Sequence, residues 1–250
     1  LCQNSSLCSK LIWRTIKDDN TVYFCRHILT SCQTSANVSV QAVRADNVSE
    51  TCIADAGFAN VTKSVNFWST YVNPAIGTEQ IAINGTNIIG SGPGTPISLN
   101  FDGTASASIN VRYPDAGQMQ LNGRYDGLGP EEAGLIMLGS DAFIARPVGL
   151  CVYSDDANAD CVSGDGSCSA FRRVDETFNL KVKGVCWEAA GDTNYCNGNS
   201  TTQNFQLGSI PISHSLVAPS SAGVSAGTIG VSLIDIAAAD NGEHLIGNQT

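Results

Sequence analysis

Ile97-Ser98-Leu99-Asn100-Phe101-Asp102-Gly103, continuing through Ala105, Ala107, Ile109 and Val111 to Tyr113-Pro114-Asp115-Ala116-Gly117-Gln118, is the stretch whose reading decides the fold. Its apolar residues alternate with small or polar ones, the period of a strand with one buried face. Asp102-Gly103 suits the positive φ angles of a two-residue turn, which predicts a hairpin between Leu99/Phe101 and the run from Ala105. Pro114 ends that run because it has no N–H to give a ladder. Ala116-Gly117 then turns the chain into a further alternating run, Met119 and Leu121 onward to Tyr125. Asp141-Ala142-Phe143-Ile144-Ala145-Arg146-Pro147 closes the unit. Nothing in residues 97–147 has the pattern of a catalytic constellation.

The same period extends outward in both directions. Val38, Val40 and Val43 share one run, and Val65 and Phe67 lead into Trp68 and Tyr71. Ile81 and Ile83 precede Asn84-Gly85, a second hairpin signal. Downstream, Phe178, Leu180 and Val182 alternate with Asn179, Lys181 and Lys183, and Ile229, Val231 and Leu233 do so before Asp235. No convincing amphipathic helix interrupts these runs, and the expectation is an all-β chain of sandwiches. A boundary falls at Arg146-Pro147. Residues 1–36 read as an N-terminal arm or the end of a preceding domain, 37–147 as one immunoglobulin-like sandwich, and 148–250 as a second.

Composition narrows the setting. Hydrophobic residues make up 42% of the 250, enough for a packed core, while charged residues are only 14%. The net charge of −10 repels nucleic acid and an anionic membrane surface. No run is long enough for a transmembrane helix. The chain starts at Leu1, without a signal peptide, and reads as a processed product or a piece of something longer.

Ten cysteines, with no Cys-x-x-Cys pair among them, point to disulfides in an oxidising compartment rather than to a zinc ribbon. The local candidates are Cys2–Cys8, Cys25–Cys32, Cys161–Cys168 and Cys186–Cys196, leaving Cys52 for Cys151. Connectivity is not fixed by sequence.

The Phe-Asp-Gly strand, the Tyr113-to-Gln118 turn and the Phe143-to-Pro147 closure resemble the β-rich region of MshQ-like proteins. These are large secreted bacterial proteins associated with mannose-sensitive haemagglutinin type IV pili. Phe171, Glu176-Thr177-Phe178-Asn179-Leu180-Lys181-Val182 and Thr202-Gln203-Asn204-Phe205 extend the resemblance, with Gln203 where the family has proline. It takes in residues 38–243 and implies tandem immunoglobulin-like domains on a bacterial surface or pilus. It supplies no catalytic residues.

Each candidate for chemistry has a plainer reading. Gly223-Val224-Ser225-Ala226-Gly227 fits a nucleophile elbow, but it follows Pro219 and precedes a β-like run, so a turn is expected. His27, His214 and His244 lack an adjoining acid–nucleophile pattern. Asp155, Asp156, Asp160 and Asp165 are the calcium candidates. An EF-hand is excluded because Cys161 stands where the loop needs glycine, and the expected state is a solvated acidic loop. Glu131-Glu132 follows Gly-Pro in a turn. Sequons start at Asn4, Asn37, Asn47, Asn60, Asn84, Asn199 and Asn248, and in a bacterial chain they are a by-product of composition. Phe67 is expected in the core, with Trp68 on the opposite face, where it could stack on sugar rings.

The function expected is therefore structural and adhesive, outside the cell or on a bacterial surface, without catalysis or cofactor. Partners would be other copies, appendage subunits or surface glycans, with no nucleic acid and no membrane insertion. One version makes the chain a filament subunit whose Leu11-Ile12-Trp13 adds to a neighbour's sheet. The alternative from another class is a secreted carbohydrate-binding or hydrolytic domain.

Overall fold

The computed structural model describes residues 10–15, 27–45, 52–159, 167–173, 175–215 and 229–249. Cys2, Cys8, Cys25, Cys161, Asp160, Asp165, the Gly223-to-Gly227 motif and the sequons at Asn4 and Asn47 lie outside the described residues. The described residues are strands and turns with three short 3-10 segments, and no α-helix is found among them. The chain divides into two compact units, Leu1–Arg146 and Pro147–Thr250.

Unit one holds β1 (Lys10–Thr15), β2 (His27–Thr30), β3 (Ser35–Ala45), β4 (Cys52–Ala54) and β5 (Thr62–Asn73). β6 (Ala82–Ile83), β7 (Thr86–Asn87), β8 (Thr95–Asn100), β9 (Ser106–Arg112), β10 (Gly117–Asp126) and β11 (Ile136–Arg146) follow. Their hydrogen-bonded order is β7-β6-β9-β3-β1-β11-β10-β5-β8, with β4 on β3 and β2 on β11. β1 is where two layers join. It pairs antiparallel with β3 from Lys10↔Val43 to Thr15↔Val38, yet meets β11 only at Lys10↔Leu138. One layer is then β1-β3-β9-β6 and the other β2-β11-β10-β5-β8. These are the A-B-E-D and C-F-G orders of an immunoglobulin-like sandwich, with β8 added beside strand C. Residues 10–15 and 27–30, expected in an arm, thus belong to this sandwich. Leu11-Ile12-Trp13 is paired with Ala42-Gln41-Val40 of its own chain.

The core lies between the layers. Val65, Phe67, Met119, Leu121, Tyr125, Met137 and Phe143 come from one side, and Val38, Val40, Ala107, Ile109 and Val111 from the other. Phe58 sits edge-on to Phe101 and Tyr125, with ring centroids 5.2 and 5.0 Å away. Phe67 is fully buried and Trp68 faces outward, as the alternation predicts.

Two turn readings part company. Asn84-Gly85 forms the expected hairpin between β6 and β7, with φ of 49° and 82° at the two turn residues. Asp102-Gly103 does not. β8 pairs with β5, whereas β9 pairs with β3 and β6, so this corner carries the chain from one layer to the other. The Asp102 carboxylate makes the corner by accepting from the N–H groups of Thr104 (2.8 Å) and Ser106 (3.0 Å).

Unit two contains β12 (Gly149–Tyr153), β13 (Phe178–Val185), β14 (Leu207–Pro211), β15 (Leu233–Ile236) and β16 (Glu243–Gln249). They form a three-stranded sheet, β12-β13-β16, and a two-stranded one, β14-β15. Val182 and Ile246 of the first pack with Ile210, Ile234 and Ile236 of the second, and Leu180, Phe205 and Val231 lie against them. The phase of β15 differs from the alternation Ile229, Val231, Leu233. Ile234 and Ile236 are buried with Val182, Ile210 and Ile246 and Leu233 is exposed, and Asp235, on the outward face, accepts from Ser209 N at 2.6 Å.

Cys151 is bonded to Cys196. This corrects both the Cys52–Cys151 and the Cys186–Cys196 assignments. Cys186 has Ser200 opposite it, its N–H donating to Ser200 O at 2.8 Å, while the loop carries Cys196 back to β12, with Sγ 3.6 Å from Val152 O. Cys32, Cys52, Cys168 and Cys186 are disulfide-bonded as well.

Candidate binding face and ionic clusters

The layer β2-β11-β10-β5-β8 turns one face to the core and one away from it. On β5 the outward positions are Asn66, Trp68 and Thr70, between buried Val65, Phe67 and Ser69. β10 places Gln120 beside Thr70, Asn122 beside Trp68 and Arg124 beside Asn66. β11 adds Ser140 next to Asn122 and Leu138 next to Arg124. The half-buried indole of Trp68 is therefore set in a field of amides and hydroxyls. Gln120 Nε2 donates to Asn122 Oδ1 at 3.4 Å, the long end of the hydrogen-bond range. The charges at the border cancel each other, since Arg124 Nη2 lies 2.6 Å from Asp126 Oδ1 and Nε donates to both carboxylate oxygens.

A second cluster closes one end of the core. Lys63 shares the inward parity of Val65 and Phe67, so its ammonium points into the sandwich. Nζ meets Glu132 Oε1 at 2.5 Å, and Tyr125 OH donates to Oε2 at 2.5 Å. Nζ also sits 5.7 Å from the Phe58 ring centre and 5.8 Å from that of Tyr125. The hydrogen bond from Lys63 holds the Glu132 carboxyl below the usual carboxylate range, and the same bond raises Lys63. Burial pushes the Tyr125 phenol up, and its bond to Glu132 adds to this. All three groups are matched, which suits fastening the Pro130–Glu132 turn to β5. Glu131 stays exposed beside it.

In unit two, Lys181 Nζ is 2.7 Å from Asp155 Oδ2 and 3.7 Å from Glu243 Oε1. Tyr153 OH donates to Glu243 Oε2 at 2.7 Å, and burial first, then this bond, pushes the phenol up to about 12. Asp156 takes Arg172 Nη2 at 2.8 Å and the N–H of Asn179 at 3.1 Å. Of the calcium candidates, Asp155 and Asp156 thus face separate cationic partners. Among the described residues no group of three or more His, Cys, Asp or Glu is placed to hold a metal ion. His244 Nδ1 is 3.1 Å from Asp240 Oδ2, a pair the sequence reading did not anticipate. Asn199 is buried at 6% exposure, and its Nδ2 donates to Cys186 O and Asp192 Oδ2, both at 2.9 Å. That amide is part of the packing, out of reach of a glycan.

The sequence reading singled out Trp68 but missed its surroundings and the Lys63–Glu132–Tyr125 cluster. Asn66, Gln120, Asn122 and Ser140 come from three strands, and only the register makes them neighbours. The parity of Lys63 with Val65 and Phe67 was the available signal for the second site.

Two β-rich units in tandem, stapled by disulfides and led by a sandwich of A-B-E-D and C-F-G order, define an immunoglobulin-like protein of an oxidising, non-cytoplasmic compartment. Among the described residues no helix is long and apolar enough to cross a membrane. Residues 17–140 match the family described as a domain of unknown function, DUF6701, first Ig-like domain, and residues 146–244 match its second domain. The chain belongs to the DUF6701 family. No curated protein and no solved structure matches it.

Proposed function

We propose that the chain is a structural and adhesive module of a bacterial surface appendage, joined to copies of itself or to other appendage subunits, and acting without catalysis. The resemblance of the turn motifs to those of MshQ-like proteins, the disulfides and the low charge content support this reading. One observation carries it. In unit one the early strand β2 runs parallel to the last strand, β11, in the register Phe143↔His27 to Arg146↔Thr30. Ser31 N extends the ladder to Arg146 O at 2.8 Å. Tension applied at opposite ends of the unit pulls these two strands past each other. Their hydrogen bonds are then loaded together in shear instead of opening one at a time. That arrangement suits a protein that holds under load.

Single-molecule stretching of the full chain tests the proposal. Ser31→Pro removes the N–H that reaches Arg146 and is expected to lower the unfolding force of unit one clearly. Ser31→Ala removes only the side-chain bond to Asp115 O (2.8 Å), which is worth about 1 kcal/mol, and is expected to lower the force less. Equal forces in the parent chain and Ser31→Pro would remove the mechanical argument.

A further inference from the structure

We propose that the outward face of β5, β10 and β11 around Trp68 binds a neutral saccharide chain. The inference rests on the surface-module reading for its setting and adds the ligand class and the place.

Three observations carry it. First, the aromatic ring is where an apolar sugar face needs it. Trp68 lies on the outward parity of an interior strand, between β10 and β8, so the indole belongs to a broad sheet surface. Second, its cross-strand neighbours are hydrogen-bonding and, Arg124 apart, uncharged. Asn122 is directly opposite Trp68 and Ser140 directly opposite Asn122, Gln120 is diagonal to Trp68 on one side, and on the other Arg124, the one charged neighbour, stands opposite Asn66 and is held by Asp126. An amide offers both donor and acceptor, which matches a hydroxyl that does both. Third, charge is matched to the ligand. The chain carries a net −10, yet the charges on this face, Arg124 opposite Asn66 and its partner Asp126, neutralise one another. A polyanion would gain no unpaired cation here. A bare apolar partner would leave amides without hydrogen bonds, at a cost in desolvation. A polyol with apolar ring faces satisfies both parts.

The test uses the whole oxidised chain with neutral hexasaccharides of glucose, mannose and N-acetylglucosamine, and a sulfated hexasaccharide for comparison. Chemical shifts of the Trp68 indole N–H and of the Asn66 and Asn122 side-chain amides report the site. At least one neutral hexasaccharide is expected to move these signals together. Trp68→Ala and Asn122→Ala are each expected to weaken binding about tenfold while the backbone spectrum stays folded. Trp68→Phe keeps part of the affinity because it keeps a ring, and it guards against a Trp68→Ala chain that fails to fold. The proposal is overturned if no neutral hexasaccharide moves the three signals at millimolar concentration. An affinity, read from the Asn66 amide, that is unchanged in both Trp68→Phe and Asn122→Ala, or tighter binding of the sulfated sugar, also overturns it. Shifts that follow protein concentration rather than sugar would make the face a contact between copies, which overturns it too. None of these failures touches the stretching experiment on Ser31, which tests the module reading separately.

Discussion

At the scale of single residues, Glu132 does the most that can be measured. One carboxylate accepts from Lys63, from Tyr125 and, at 3.3 Å, from the N–H of Leu128. Glu132→Gln removes the charge from a site where both side chains of the pair are about one-fifth exposed. A loss of about 2 kcal/mol in unfolding free energy is expected, because Lys63 then lacks its counter-ion. The pH dependence has a definite sign. Glu132 is held below its unfolded value, so its contribution is present above the ordinary carboxylate range and is lost as pH falls through the folded value. Lys63 is raised, so its contribution is full below the unfolded lysine value and is lost only as pH rises through its higher folded value. Urea unfolding over a pH series should show a neutral plateau with an acid fall, and Glu132→Gln should flatten that fall. None of this was legible from Glu131-Glu132 read as an acidic pair in a turn. Lys63 is far away in sequence, and only the sandwich brings it to Glu132.

At the scale of elements, strand content was legible and strand partnership was not. Period-two alternation identifies a strand through its buried face, and that signal is local. Which strand lies beside it depends on where the chain crosses between layers. Asp102-Gly103 shows the difference. As a dipeptide it signals a hairpin, but here Asp102 caps its own corner and sends β9 to the other layer. Its carboxyl lies below the usual range, chiefly through the hydroxyl of Thr104 at 2.7 Å and then through the N–H groups of Ser106 and Thr104. Asp102→Ala should therefore lower the melting temperature by a few degrees, while Asp102→Asn, which keeps an acceptor, should lower it less. Thermal melts by circular dichroism decide. An unchanged Asp102→Ala melt would mean that the corner is held by packing alone. β15 makes the complementary point, since burial of Ile234 and Ile236 sets its side chains one residue out of the expected phase. A one-residue slip exchanges the two faces of a strand, so periodicity in a short run is easily misassigned.

At the scale of the whole molecule, the boundary near Pro147 and the disulfide set how the chain extends. Cys151 and Cys196 are 45 residues apart, so the bond withholds that loop from extension when unit two opens. A Cys151→Ser/Cys196→Ser chain should lengthen the unfolding step of unit two by less than the roughly 150 Å that the loop would span fully extended, because Cys168 and Cys186 inside it are themselves disulfide-bonded. Stretching the oxidised parent and the double variant side by side measures this, and equal steps would exclude a bond that limits extension. Local pattern was enough to read the chain as all-β and disulfide-bonded, with a division near Arg146-Pro147. Alternation, turn residues and cysteine content act within a few residues of one another or through composition. Long-range packing fixed the rest. It made Asp102 a crossing instead of a hairpin, joined Cys151 to Cys196, set β2 beside β11, and gathered Trp68, Asn122 and Ser140 on one face. These are pairings between distant segments, fixed by which surfaces pack and which ladders close, and a local pattern carries no record of them.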